Sequence, residues 1–129
     1  MRLWHQSLIK YLPRQQLLGL HREICALRGN GWGKKHATVD YVFIHPFEWL
    51  VAYHYKVVEE MRGRGYVVDV NWINVEYRGK QCERESIFNN VTFFDALDPD
   101  IIYPEHNNDY LSECIENLKN KGIVINYEQ

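Results

Sequence analysis

An isolated carboxylate among basic residues is the first feature of this sequence that could carry chemistry. Residues 1–36 contain seven lysines and arginines but only one acid, Glu23, so this part of the chain has a net charge of +6. Positive neighbours keep a carboxyl group ionised, which suits a proton acceptor or a group that stabilises developing positive charge. A salt-bridged glutamate on a surface helix would have the same surroundings, so this pattern alone leaves both interpretations open.

A glycine-rich basic segment follows a few residues later. Residues 27–36 have the sequence LRGNGWGKKH. Glycines let a phosphate approach the backbone closely, lysines neutralise its charge, and Trp32 could stack on a base. A P-loop is excluded, because Gly33-Lys34 is followed by a second lysine where that motif needs serine or threonine. The segment is therefore either a phosphate-binding loop or an ordinary turn.

The spacing of histidines and cysteines predicts no metal site and no hydrolase triad. His36, His45 and His54 lie nine residues apart, so no two of them share a helix face at ligand spacing. His54 is interpreted as a core histidine, because it falls on an apolar helix face. The three cysteines form no Cys-x-x-Cys pair, which argues against a disulfide framework and predicts a reducing, cytoplasmic setting.

The first predicted helix carries Glu23. Pro13 fits the first turn of this helix and Gly29 fits its end. Glu23 falls on the flank of the apolar face, and Gly19 leaves open space one turn earlier. The side chains that recur at helical spacing and define the apolar face are Leu17, Leu20, Ile24 and Leu27.

Two further helices are predicted by the same periodicity. The second begins near Pro46 and ends around Gly63 or Gly65. The third runs from about Asp109, the expected N-cap, to Lys121. The sequence thus predicts a mainly α-helical protein with three main helices.

The connection between the second and third helices, residues 66–108, is predicted to be mostly irregular with short helical turns. A connection of this length is unusual in a compact domain, where long irregular segments are often functional. We expect residues 1–129 to form a single compact domain. The longest apolar runs are too short to span a membrane, and no apolar signal segment opens the sequence.

Several features of the first half of the chain resemble a known enzyme family. Arg2 follows the N-terminal residue directly, and the first helix has the sequence LHRE at residues 20–23. Arg28 comes shortly afterwards, then KHAT at residues 35–38, and the second helix ends in EEMRGRGY at residues 59–66. Together these features are similar to the phage-type pyrimidine-dimer DNA glycosylases, which are small, mostly helical enzymes.

This resemblance implies an enzyme that excises a damaged base, a pyrimidine dimer or a related lesion, and then cleaves the strand as an abasic-site lyase. It implies the N-terminal α-amine as nucleophile, and an ordinary pKa of about 8 leaves a useful fraction of that amine neutral. Family members lose the initiator methionine, whereas Arg2 is expected to block its removal here, so the expected nucleophile is the amine of Met1. Glu23 is implied as the partner carboxylate, and no metal ion or cofactor is implied.

The resemblance also implies damaged double-stranded DNA as the partner of a monomeric enzyme. The charge distribution suits this, because residues 81–129 hold ten acids against three bases and leave the positive charge at the other end. The C-terminal sequence INYEQ lacks the aromatic, basic segment of the family, which leaves the lesion open. The expected DNA-binding residues are Arg2, His21, Arg22, Arg28, Lys34, Lys35 and His36.

Two other functions are compatible with the same residues. A non-catalytic nucleic-acid-binding protein would use the same basic face without the amine chemistry. A helical interaction module would instead use the acidic C-terminal half to bind a basic protein partner.

Overall fold

Every regular element of the structure is helical, which confirms the predicted mainly α fold. The structure is a computed structural model that describes residues 3–32, 34, 39–73 and 103–125, and these ranges contain no strand. None of the helices found there is both long and apolar enough to cross a membrane. The elements are two 3₁₀-helices, Gln6–Tyr11 and Val70–Ile73, and four α-helices, α1 (Arg14–Arg28), α2 (Asp40–Phe43), α3 (Phe47–Gly63) and α4 (Asn108–Asn120).

The ends of α1 and α3 lie where prolines and glycines predicted them. Pro13 immediately precedes α1, and the Gly29 N–H donates to the Cys25 carbonyl at 3.1 Å as that helix ends. Pro46 immediately precedes α3. Gly65 follows its end with φ +86°, in the left-handed region that glycine adopts without a steric penalty.

The predicted N-cap of the last helix was wrong by two residues. The side chain of Asn107, rather than that of Asp109, caps α4 by accepting from the Tyr110 N–H at 2.9 Å. Asp109 lies in the first turn, where a carboxylate is favoured by the positive end of the helix dipole. Both residue types cap helices well, so residue type could not distinguish the two positions.

The long connection is only partly described. Residues 66–69 have no regular structure, Val70–Ile73 forms one short helical turn, and residues 74–102 lie outside the described ranges. The sequence did not predict the 3₁₀-helix Gln6–Tyr11 or the single turn of α2, because elements of four to six residues are too short to establish a helical period.

The core forms where α1 packs against α3. The apolar face predicted for α1 is confirmed, since Leu17, Leu20, Ile24 and Leu27 are each at most 1% exposed. On α3 the facing residues Leu50 and Val57 are fully buried. Burial of each such side chain contributes about 1.5–3 kcal/mol, so this interface fixes α1, and with it Glu23, relative to α3.

The N-terminal segment, by which we mean residues 3–6, is part of this core. Leu3 is fully buried and Trp4 is 5% exposed. The Tyr53 hydroxyl of α3 donates to the Trp4 carbonyl, and the Tyr110 hydroxyl of α4 donates to the Leu3 carbonyl. The backbone just after the N-terminus is therefore held from two helices.

Candidate active site

A buried histidine strengthens the attachment of the N-terminal segment. His106 Nδ1 accepts from the Gln6 backbone N–H at 3.1 Å, so the ring proton must be on Nε2. That Nε2–H donates to the Tyr41 hydroxyl at 2.6 Å. Burial, with a smaller effect of His5, lowers the pKa of His106 to about 3, so the ring is neutral at physiological pH.

Glu23 lies in α1 and acts electrostatically on a tyrosine that holds this segment. The pKa of Tyr53 is raised well above its ordinary value, mainly by burial and then by several neighbours, one of which is the Glu23 carboxylate. Glu23 is therefore within electrostatic range of the hydroxyl that holds the Trp4 carbonyl. Its side chain is half-buried, which leaves part of it open to a ligand.

The expected DNA contacts differ in their accessibility. Arg22 and Lys34 are exposed. The guanidinium of Arg22 lies beside Gly19, where an added Cβ would meet only Arg22 Nη2, at 3.9 Å, so the predicted open space is there. Met1, Arg2, Lys35 and His36 lie outside the described residues.

The other two expected contacts face α3 instead of solvent. Arg28 is fully buried, and its Nη1 donates to His54 Nδ1 at 2.9 Å and to the Trp72 carbonyl at 3.1 Å. Its guanidinium also lies 5.0 Å from the centre of the Trp72 ring. His21 is half-buried, and its Nδ1 lies 2.8 Å from His54 Nε2.

The direction of each hydrogen bond in this cluster follows from Arg28. A guanidinium can only donate, so His54 Nδ1 accepts and His54 Nε2–H must donate to His21 Nδ1. Both rings are then neutral, and burial lowers both pKa values, with Arg28 adding to the effect at each. Burial also raises the pKa of the neighbouring Cys25 thiol to about 12, which leaves it protonated at neutral pH.

The sequence predicted the place of His54 in this cluster but not the places of Trp72 and Cys25. The interpretation of His54 as a core histidine is confirmed, because it is fully buried and hydrogen-bonded. Trp72 carried no signal, since its approach to Arg28 depends on the path of the chain after α3. Cys25 could have been found, because His21 and Cys25 are four residues apart on one helix and therefore neighbours.

A comparison with protein families identifies the family to which this chain belongs. The sequence model of the family described as pyrimidine dimer DNA glycosylase matches residues 1–74, more than half of the chain. The chain belongs to this family. No curated protein and no solved structure shows a significant match to it. The family assigns a DNA glycosylase role in DNA repair, and the matched range includes Glu23 and every expected DNA contact.

In this glycosylase the glycine-rich segment after α1 is a packed turn as far as it is described. An added Cβ at Gly31 would lie 2.7 Å from the Ala26 carbonyl oxygen, so only glycine allows the chain to turn this closely against α1. Trp32 packs edge-to-face against Phe43 and Phe47, with ring centres 5.4 and 5.0 Å apart. Trp32 is half-buried and thus contributes to this packing.

We predict that Arg22→Ala weakens DNA binding by the glycosylase without unfolding it. Arg22 is exposed, so its loss removes positive charge beside Glu23 and little packing. Binding measured at several salt concentrations should weaken for all sequences, and the dependence of log K on log salt should fall by about one. Lys119→Ala in α4 is the matched control, because it removes an equally exposed charge from the acidic half. Equal losses in both variants would argue against a DNA face on α1.

Proposed function

We propose that this protein is a DNA glycosylase and abasic-site lyase that acts through a Schiff base on the α-amine of Met1, with Glu23 as the partner carboxylate. The substrate is double-stranded DNA that contains a pyrimidine dimer or a related lesion. The reaction uses no metal ion or cofactor, and the enzyme acts as a monomer in the cytoplasm. The family assignment supports the glycosylase role, and the amine chemistry is our extension of it.

The observation that carries the proposal is that one tyrosine connects the N-terminal segment with Glu23. The Tyr53 hydroxyl holds the Trp4 carbonyl and is within electrostatic range of the Glu23 carboxylate. Met1 and Arg2 precede Leu3, so the α-amine of Met1 lies at most about 7 Å from the backbone nitrogen of Leu3. The fixed position of Leu3 in the core and this short reach support a pairing of the amine with Glu23.

The chemistry uses this pairing as follows. The neutral amine forms a bond to C1′ of the damaged nucleotide while the bond from C1′ to the base breaks and its electron pair leaves with the base. Glu23 stabilises the positive charge that develops at C1′. The attached nitrogen then loses a proton, and the C1′–O4′ bond breaks as O4′ takes up a proton, which gives a protonated imine between the amine and C1′. Loss of a proton from C2′ to a base and cleavage of the C3′–O bond release the 3′ phosphate and cut the strand.

DNA contacts are proposed in two groups. Arg22 and Lys34 are exposed and can approach phosphates without rearrangement, and we place Arg2, Lys35 and His36 with them. His21 and Arg28 contact DNA only if their hydrogen bonds in the His54 cluster open. A lesion lowers the cost of kinking the duplex and extruding a nucleotide, which gives selectivity for damage.

Borohydride trapping tests the proposed intermediate. Incubation of the full chain with duplex DNA containing an abasic site and borohydride should reduce the imine to a stable covalent adduct. Peptide mapping should find this adduct on the Met1 α-amine, and prior acetylation of that amine should prevent it. Undamaged duplex of the same sequence is the control.

The other outcomes separate the rival functions. Binding to abasic DNA with no adduct would contradict the enzyme and indicate a non-catalytic nucleic-acid-binding protein. An adduct on a lysine side chain would contradict Met1 as nucleophile while retaining lyase chemistry. Absence of DNA binding at low salt would contradict both and leave a protein-interaction module.

A further inference from the structure

Three side chains with metal-binding atoms converge where α1 packs against α3. His21 Nδ1 lies 2.8 Å from His54 Nε2 and 3.9 Å from Cys25 Sγ, and Cys25 Sγ lies 4.0 Å from His54 Nε2. They form the only group in the described ranges in which three such side chains come this close together. We propose that His21, Cys25 and His54 bind Zn²⁺, or another metal ion that prefers thiolate and imidazole ligands, and so join α1 to α3.

The spacing of the three atoms suits such an ion. A point equidistant from them lies about 2.1 Å from each, close to the usual zinc bonds of about 2.0–2.1 Å to nitrogen and about 2.3 Å to sulfur. Tetrahedral zinc separates two such nitrogens by about 3.3 Å, and a nitrogen from a sulfur by about 3.6 Å. Shifts of about half an ångström in side chains that already touch would therefore complete the geometry.

The fold supplies the ligands from two directions and leaves one side open. His21 and Cys25 are one turn apart on α1, so they project together towards α3, which contributes His54. His54 is fully buried, whereas His21 and Cys25 are half-buried, so an ion can enter from their side. Three protein ligands leave a fourth position for a water molecule.

Metal binding must replace the hydrogen bonds that the three side chains make without it. The proton of His21 is on Nε2, so its Nδ1 can bind the ion once it no longer accepts from His54 Nε2–H. His54 must move its proton from Nε2 to Nδ1, and Cys25 must release its thiol proton to solvent. His54 Nδ1–H then faces the Arg28 guanidinium, which can only donate, so these two groups must move apart. Arg28 Nη1 can still donate to the Trp72 carbonyl.

Some charged groups around the site favour a bound cation and others oppose it. The thiolate of Cys25 neutralises part of the charge of the ion, and Asp69 lies within electrostatic range of Cys25. Arg22 and Arg28 oppose a cation. The ion has a structural role in this proposal, and none of the cleavage steps proposed above passes through it. The base excision and strand cleavage proposed above can therefore succeed or fail without deciding this inference, although a bound ion would keep His21 from contacting DNA.

Cobalt substitution tests the site on the full chain. Titration of metal-free protein with Co²⁺ should saturate at one ion per chain and produce the thiolate-to-cobalt charge-transfer absorption of a sulfur ligand. Zn²⁺ should displace the Co²⁺ and raise Tm. Cys25→Ser should lose the absorption and the Zn²⁺-dependent shift in Tm, whereas Cys114→Ser should keep both, because Cys114 lies outside the cluster.

A second variant keeps the test decisive if Cys25→Ser does not fold. His21→Ala retains the cysteine, and its half-buried position on α1 makes it the mildest ligand deletion. It should bind Zn²⁺ more than about tenfold more weakly than the unaltered chain. Absence of the charge-transfer band from the unaltered chain, or equal Zn²⁺ affinity in His21→Ala, would overturn the proposal and leave the three side chains as a hydrogen-bonded cluster.

Discussion

Replacement of Glu23 with glutamine is expected to reduce strand cleavage at a lesion by about 10²- to 10⁴-fold, the usual contribution of a positioned acid–base group. Glutamine has nearly the same shape but carries no charge, so it cannot stabilise the positive charge that develops at C1′. Binding to the same DNA should remain within a few-fold, because the phosphate contacts come from basic residues. Single-turnover cleavage and binding titration on one substrate measure the two effects separately.

A matched variant distinguishes a specific role of Glu23 from the general effect of removing one negative charge. Glu116→Gln removes an exposed carboxylate from α4, in the acidic half of the chain, and should cleave at the unaltered rate. Its DNA affinity should change as little as that of Glu23→Gln. If Glu23→Gln cleaves at the same rate as Glu116→Gln, Glu23 has no part in the chemistry and a different carboxylate must be sought.

Acidification is expected to unfold the protein at a pH above that at which most carboxylates become protonated. Burial lowers the pKa of four histidines below the ordinary value of 6.5, so the unfolded chain binds protons that the folded chain excludes. Their contribution to stability is complete above pH 6.5 and declines as the pH falls below it. These histidines are His5, His21, His54 and His106.

His54 and His106 have the most strongly lowered pKa values and should contribute most to this decline, and the contribution of His106 can be given a size. Its pKa of about 3 in the folded state means that its contribution is lost from pH 6.5 down to about pH 3, at about 1.4 kcal/mol per pH unit. The total is several kcal/mol, a large part of the 5–15 kcal/mol that typically stabilises a domain. Urea unfolding at pH 7.5, 6.0 and 5.0, in the presence of a chelator, measures the slope directly.

The variant His106→Gln tests the assignment. Glutamine can accept from the Gln6 N–H and donate to Tyr41 but does not titrate, so the pH slope of this variant should be smaller by about 1.4 kcal/mol per unit. An unchanged slope would show that His106 is not the neutral partner of Gln6. Constant stability of the unaltered chain between pH 7.5 and 5.0 would contradict the prediction for all four histidines.

These acid-sensitive histidines belong to two different sets of contacts. His5 and His106 belong to the contacts that hold the N-terminal segment, with their rings stacked 5.4 Å apart, while His21 and His54 connect α1 to α3. Protonation of either pair disturbs the N-terminal segment or the packing of α1, which carries Glu23. We therefore expect loss of cleavage on acidification to accompany loss of structure.

The sequence by itself determined the helical framework and the family. Apolar residues at helical spacing placed α1 and α3, and Pro13, Pro46 and Gly29 marked their ends, because these signals depend only on neighbours along the chain. Family resemblance likewise resides in local motifs such as Arg22-Glu23 in α1. Residue type and spacing also predicted that His54 is a core residue.

Only the tertiary structure decided what those residues contact. No pattern along the chain predicts that Tyr53 holds the Trp4 carbonyl near Glu23, because that contact joins three distant segments. For the same reason Arg28, a basic residue in a basic segment, looked like a surface phosphate contact and is buried against His54. Burial and hydrogen-bond partners arise when helices pack, and they decide which charged groups remain available to DNA.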